Sequence, residues 1–152
     1  MQLRTHLVLA ALFVLLFLPN ISNKFLFIAV ALVSTILPDI DTGFSLIGRQ
    51  VGTGVVRFFT KHRGMLHSFT FCILISVILA FFLPVLSLAF FLGYSIHLFG
   101  DSFTVEGIRP FWPSKKVSEG HLRAGGRVET MIFIFLALAD LIVLVMIINN
   151  IA

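Results

Sequence analysis

Charge is scarce in this chain. Lys, Arg, Asp and Glu together make up 12% of its 152 residues, 59% are hydrophobic, and mean hydropathy is +1.08. A soluble domain carries roughly 25% charged and 45–50% apolar residues, so this balance excludes one and predicts an integral membrane protein. The single cysteine, Cys72, lies inside an apolar run, which excludes an intramolecular disulfide and a CxxC metal site. The length leaves no room for a second domain, and residues 1–152 are expected to form one membrane-embedded unit. The "PNISNK" that follows the first apolar stretch lacks a small-residue cleavage pattern, so that stretch reads as a retained helix and not as a signal peptide.

What is present is a series of apolar stretches divided by polar punctuation. They run from about Leu7 to Leu18, Phe25 to Leu37, Phe69 to Leu83, Val85 to Phe99 and Met131 to Ile148. The expected fold is therefore all-α: a compact bundle of about five transmembrane helices. Several stretches fall short of the roughly 20 residues an upright span needs, which implies helix ends at or below the headgroups. In "IGRQVGTGVVRFFTKH", Val51, Val55, Phe58 and Phe59 share one helical face and Arg57 and Lys61 another. That pattern predicts a short helix lying in the interface, either shaping a lipid access path or serving as an ordinary anchor.

The connections alternate between tight ("PNISNK" and the turn at Pro84) and long (Pro38 to Ser68 and Gly100 to Thr130). If each stretch crosses once, the N-terminus and both long loops share one side. All basic residues except Lys24 fall on that side, which the positive-inside rule assigns to the cytoplasm.

Ligand-type side chains follow the same geography. His6 opens the first stretch, Asp39 closes the second, His67 opens the third, His97 and Asp101 close the fourth, and Glu129 opens the fifth; Asp41 and His62 stand nearby. His97 and Asp101, four apart, share a helix face, and an ionisable pair at the end of an apolar helix is functional by default. Its alternative is a private ion pair. "LPDIDT" can also be a plain helix stop, and "HRGMLHS" a basic loop with a helix start. Taken together, imidazoles and carboxylates at one membrane depth suit zinc first, with manganese or iron as alternatives. The candidates outnumber the four positions of a tetrahedral zinc, so two or more ions are plausible. Asp140, in the middle of the fifth stretch, is left outside the site.

Three ordered motifs, "LPDIDT", "HRGMLHS" and "GYSIHLFGDSFTVEGIRPFWPSKK", together with His6 in "RTH" and Glu129 in "GGRVET", closely resemble the YdjM-like membrane-bound metal-dependent hydrolases over nearly the whole chain. "HLFGD" is also faintly similar to the H-x-x-G-D segment of the zinc-dependent phospholipase C and single-strand nuclease superfamily. The resemblance implies metal contacts from His6, Asp39, Asp41, His62, His67, His97 and Asp101, with Glu129 as a further candidate. The family's threonine before the second histidine is Leu66 here.

No Ser-His-Asp arrangement stands out, so hydrolysis is expected to use metal-activated water, with Asp41 or Glu129 as general base. Arg63, beside His62, and Arg109, in the loop after Asp101, are the candidate substrate cations, since guanidinium groups near a metal favour phosphate esters. Lys115 and Lys116 serve at least as well on anionic headgroups. "RPFWP" is stiffened by Pro110 and Pro113, and Trp112 suits headgroup depth. The expected function is hydrolysis of a phosphate ester, in a phospholipid or another lipid-linked molecule, at the cytosolic face of the cell membrane. No nucleic acid is expected as a partner. A non-enzymatic metal-ion transporter or sensor, or a membrane tether for a regulatory protein, is the alternative. Transport calls for polar residues along a path to the far side, and only Asp140 offers one.

Overall fold

The computed structural model describes residues 1–41 and 65–151, the side chains of Ile40, Asp41, Asn150 and Ile151 excepted. The expected interfacial helix, His62 and Arg63 lie outside the described residues, as does the side chain of Asp41. Among the described residues five α-helices follow one another: α1 (Leu3–Phe17), α2 (Lys24–Ile36), α3 (Phe69–Phe82), α4 (Pro84–Ser102) and α5 (Arg127–Ile151). Each coincides with one of the apolar stretches of the sequence.

Local chemistry sets their limits. Pro19 sits in a short 3-10 turn (Leu18–Asn20) that ends α1, and the Asn23 side chain caps α2 by accepting from the Leu26 N–H at 3.1 Å. Ser68 caps α3 in the same way through the Phe71 N–H at 3.2 Å. Pro84 takes the first position of α4, where its missing N–H costs nothing.

Among the described residues three helical segments are long and apolar enough to cross a membrane: Leu3–Asn20, Pro84–Ser102 and Arg127–Asn149. The other two are shorter, with 13 residues in α2 and 14 in α3. At 1.5 Å per residue each is about 20 Å long, less than the roughly 30 Å of a hydrocarbon core. The structure therefore supports three helices of spanning length, where the apolar pattern predicts about five spans.

Helix α4 is the axis of the bundle. It packs against α2, α3 and α1, whereas α5 leans chiefly on α1. One apolar core joins Ala10 and Val14 of α1, Phe27 and Ala31 of α2, and Ala89, Leu92 and Ile96 of α4. A second joins Cys72 of α3 with Phe90, Tyr94 and Leu98 of α4 and Ile108 beyond it. Gly93 makes the α2–α4 contact possible: a Cβ there would stand 2.0 Å from the Ala31 carbonyl oxygen. The Thr35 hydroxyl, bonded to Ala31 O at 2.8 Å, reaches across the same seam to Gly93 O at 3.3 Å.

The segment between α4 and α5 folds back on itself. Paired backbone bonds link Ile108 and Ser118 at 2.9 Å each way, and Val105 N–H reaches Leu122 O at 2.9 Å. Gly107, with φ at 60°, supplies the left-handed turn this return requires. The Pro110 carbonyl then accepts from Phe69 N–H at 2.8 Å, which fastens the returning segment to the start of α3.

Candidate metal centre

The bundle gathers its ligand-type side chains at one end. His97 and Asp101 project from the last two turns of α4, with His97 Nε2 3.6 Å from Asp101 Oδ2. The 3-10 turn Leu37–Asp41 that continues α2 brings in Asp39, whose Oδ1 lies 3.7 Å from His97 Nε2. A second 3-10 turn, Met65–His67, leads into α3 and sets His67 Nε2 3.5 Å from the same oxygen. One ligand atom from each of Asp39, His67, His97 and Asp101 lies within 4.8 Å of all the others.

These separations fit an ion better than direct hydrogen bonds. An N–H···O bond spans about 2.7–3.2 Å, shorter than any of the three distances. Two ligands each about 2.0–2.1 Å from a tetrahedral zinc are separated by about 3.3 Å, close to what is seen. Both His97 nitrogens are buried and find no hydrogen-bond partner among the described residues. A fully buried imidazole with two empty nitrogens beside two carboxylates is suited to binding a cation. The donor set of two imidazoles and two carboxylates fits a divalent transition metal.

Burial is uneven around the four. The side chains of His67, His97 and Asp101 are 0–3% exposed, while that of Asp39 is 31% exposed, so the cluster opens on the Asp39 side. Burial pushes the Asp39 carboxyl upward. The adjoining His67 and His97 imidazoles outweigh that effect, leaving it below the usual carboxylate range and so ready to act as an anionic ligand.

Asp101 divides its oxygens. Oδ2 faces His97, while Oδ1 is 3.1 Å from His6 Nε2 and also accepts from the Met1 amino group. His6 is fully buried and lies against His97, on the outer side of Asp101. Gly100 leaves room for it: a Cβ at that position would come 3.1 Å from both Cε1 and Nδ1 of the His6 ring. The geometry is that of an imidazole orienting a ligand through its far oxygen.

Glu129, in the first turn of α5, is buried but stands apart from the four-residue cluster. Its Oε1 accepts from Gln2 N–H at 2.6 Å and its Oε2 accepts from Gly125 N–H. Arg109 is exposed, and its backbone sits between Ile108, paired with Ser118, and Pro110, bonded to the start of α3. The turn carrying His67 therefore has Arg109 close by along the chain path.

One residue of the site, Tyr94, lies inside the third motif but is given no role by it. Its buried hydroxyl donates to Leu66 O at 2.6 Å and so fixes the turn that presents His67. The signal was available: this is the only tyrosine of the chain, three residues before His97 in an otherwise apolar helix, and a buried phenol needs a partner. Leu66, where the resemblance expects threonine, serves through its backbone carbonyl.

The family model described as YdjM inner membrane protein matches residues 1–151. The chain belongs to the YdjM family. No curated protein and no solved structure matches it. In this YdjM protein the motifs "LPDIDT", "HRGMLHS" and "HLFGD" each supply at least one member of the Asp39–His67–His97–Asp101 cluster, which is able to chelate a metal ion within a membrane-embedded helical bundle.

Proposed function

We propose that this protein is a membrane-embedded, metal-dependent hydrolase that cleaves a phosphate ester, in a phospholipid or another lipid-linked molecule, at the cytosolic face. The observation that carries the reading is the convergence of two imidazoles and two carboxylates within 4.8 Å at one end of an apolar bundle. Metal-site ligands confined to one depth suit chemistry at a surface better than passage across the membrane. With α2 and α3 as short spans in locally thinned bilayer, the five helices make five passes. The basic residues of the N-terminus and long loops then face the cytoplasm.

Asp39, His67, His97 and Asp101 would hold a divalent ion, zinc foremost and manganese or iron as alternatives. His6, Asp41 and His62 are the remaining candidates, as orienting groups or as ligands of a second ion. Bound there, the ion supplies Lewis acidity and lowers the pKa of water to about 7. The chain supplies the rest. His6 steadies Asp101 through Oδ1, Tyr94 steadies the His67 turn, and the partly exposed Asp39 marks the side from which substrate approaches. Asp41 and Glu129 are the candidate general bases. Glu129 would have to release a backbone N–H to act, which favours Asp41, two residues beyond a ligand. Arg63 and Arg109 bind the phosphate, and Lys115 and Lys116 meet anionic headgroups.

Metal content decides the matter. Elemental mass spectrometry on detergent-purified protein should find near-stoichiometric zinc, manganese or iron that is lost, together with phosphoesterase activity, in folded Asp101→Ala and His97→Ala variants. Wild-type protein that holds no metal after supplementation at neutral pH would overturn the reading.

A further inference from the structure

An apolar cavity of about 280 Å³ lies beside the cluster, lined by Leu37, Leu66, Phe71, Ile75, Phe90 and Tyr94. Three of these residues are tied to ligands by the chain. Leu37 is two residues before Asp39 in one 3-10 turn, Leu66 immediately precedes His67, and Tyr94 lies one helical turn before His97 on α4. The other three lead away from the site: Phe71 and Ile75 are successive turns of α3, and Phe90 is one turn back from Tyr94. The cavity therefore begins at the depth of the ligands and runs along the α3–α4 seam toward the middle of the apolar layer.

Its chemistry excludes water. Of the six lining side chains among the described residues only Tyr94 carries a polar atom, and that hydroxyl already donates to Leu66 O at 2.6 Å. A bridging water needs two or more polar partners, which this lining does not offer. The pocket is partly open to its surroundings, and an apolar surface of this kind is better covered by apolar material than by water. In a bilayer the apolar material around the described residues is hydrocarbon.

We propose that this cavity is a slot for one hydrocarbon chain of a membrane lipid, whose phosphate-bearing end then lies at the Asp39–His67–His97–Asp101 cluster. The placement of the phosphate rests on the hydrolase reading above; the slot itself does not. Lipid tails are as apolar as the lining, so a chain gains little affinity by leaving the bilayer. What it gains is position: a tail held along the α3–α4 seam brings the headgroup ester to the metal end of the bundle and keeps it there.

The test is photo-crosslinking in vesicles of phosphatidylethanolamine doped with an analogue that carries a diazirine on its acyl chain, with adducts mapped by peptide mass spectrometry. Adducts should concentrate several-fold, per residue, on the segments around Phe71–Ile75 and Phe90–Tyr94 relative to the exposed face of α5 around Ile142. Ile75→Trp should remove that enrichment and leave the α5 adducts as they were; Ile75→Phe, a smaller intrusion, should reduce it. Retained α5 adducts and retained metal show that the variants remain folded. Adducts spread evenly over the exposed helix faces, or an enrichment that ignores both substitutions, would overturn the slot. Phosphoesterase activity of the wild-type protein, measured beside the same mapping, separates the two readings. Enrichment in a metal-loaded wild-type protein without phosphoesterase activity toward any lipid keeps the slot and removes the hydrolase, whereas wild-type activity without enrichment removes the slot alone.

Discussion

The imidazole rings of His6 and His97 stack with centroids 4.0 Å apart and planes 14° from parallel, so the first helix meets the fourth at the edge of the candidate metal cluster. His67 approaches the same His97 ring edge-on, with centroids 5.8 Å apart. His97 is therefore the residue around which three helices are registered, and its partners differ in what they do. His67 presents Nε2 to Asp39 inside the cluster, while His6 holds Asp101 from outside.

That division predicts graded losses. His6→Ala should weaken metal binding by about 10- to 100-fold, the usual cost of removing a group that orients a ligand. His97→Ala, which takes away a donor atom, should leave no stoichiometric metal at all. Titration of the metal-free proteins with zinc, followed by calorimetry, distinguishes the two. Equal losses would make His6 a ligand of equal standing.

A methyl group at Gly93 should damage the site from a distance. Its Cβ would meet backbone atoms of Ala31, which cannot swing aside as a flexible side chain can, so α2 and α4 must part. Overpacking of this kind typically costs about 1–3 kcal/mol. Because Asp39 follows α2 and His97 belongs to α4, Gly93→Ala should lower both thermal stability in detergent and metal content. A variant with full metal and unchanged melting would show that the seam does not position the ligands.

Arg109→Gln should leave metal content intact and raise KM for a phosphate ester. Loss of a hydrogen bond to a charged group usually costs about 1.5–3 kcal/mol, so the increase should be roughly tenfold or more. A fall in kcat at constant KM would place Arg109 in the chemistry and not in binding.

Topology can be read with a single thiol. In a Cys72→Ser background, Lys115→Cys should react with membrane-permeant maleimides in intact cells and resist impermeant ones. Labelling from outside would reverse the orientation of the bundle and put the metal end on the far side.

The helices were legible in the sequence because an apolar stretch bounded by polar punctuation needs no tertiary information. The turn at Pro84 marks the α3–α4 boundary, and the structure adds the caps at Asn23 and Ser68. His97 and Asp101 were legible as a pair because their contact is one helical turn long. Asp39 and His67 could be assigned to the same end only through the alternation of loop lengths. The division of Asp101 between His6 and the cluster was not legible, since it depends on which oxygen faces which helix. Nor was the weak attachment of α5, which is more apolar than the central α4 although among the described residues only α1 shelters much of it. The anchoring of Glu129 to the N–H groups of Gln2 and Gly125 was equally hidden, because a carboxylate at a helix mouth looks the same in sequence whether it binds a metal or a backbone.

The order in which the ligands occur along the chain has a consequence for biosynthesis. His6, Asp39 and His67 leave the ribosome before His97 and Asp101; Asp39 and His67 can meet each other early, but His6 has no Asp101 and that pair no His97 until α4 has been inserted. During that interval the three polar side chains stand at the mouths of incomplete helices, without an ion to offset their burial. The late arrival of α4 is then the step that joins the separate helix mouths into one cluster. A chain stalled before residue 97 would be exposed to quality control as an unassembled membrane fragment.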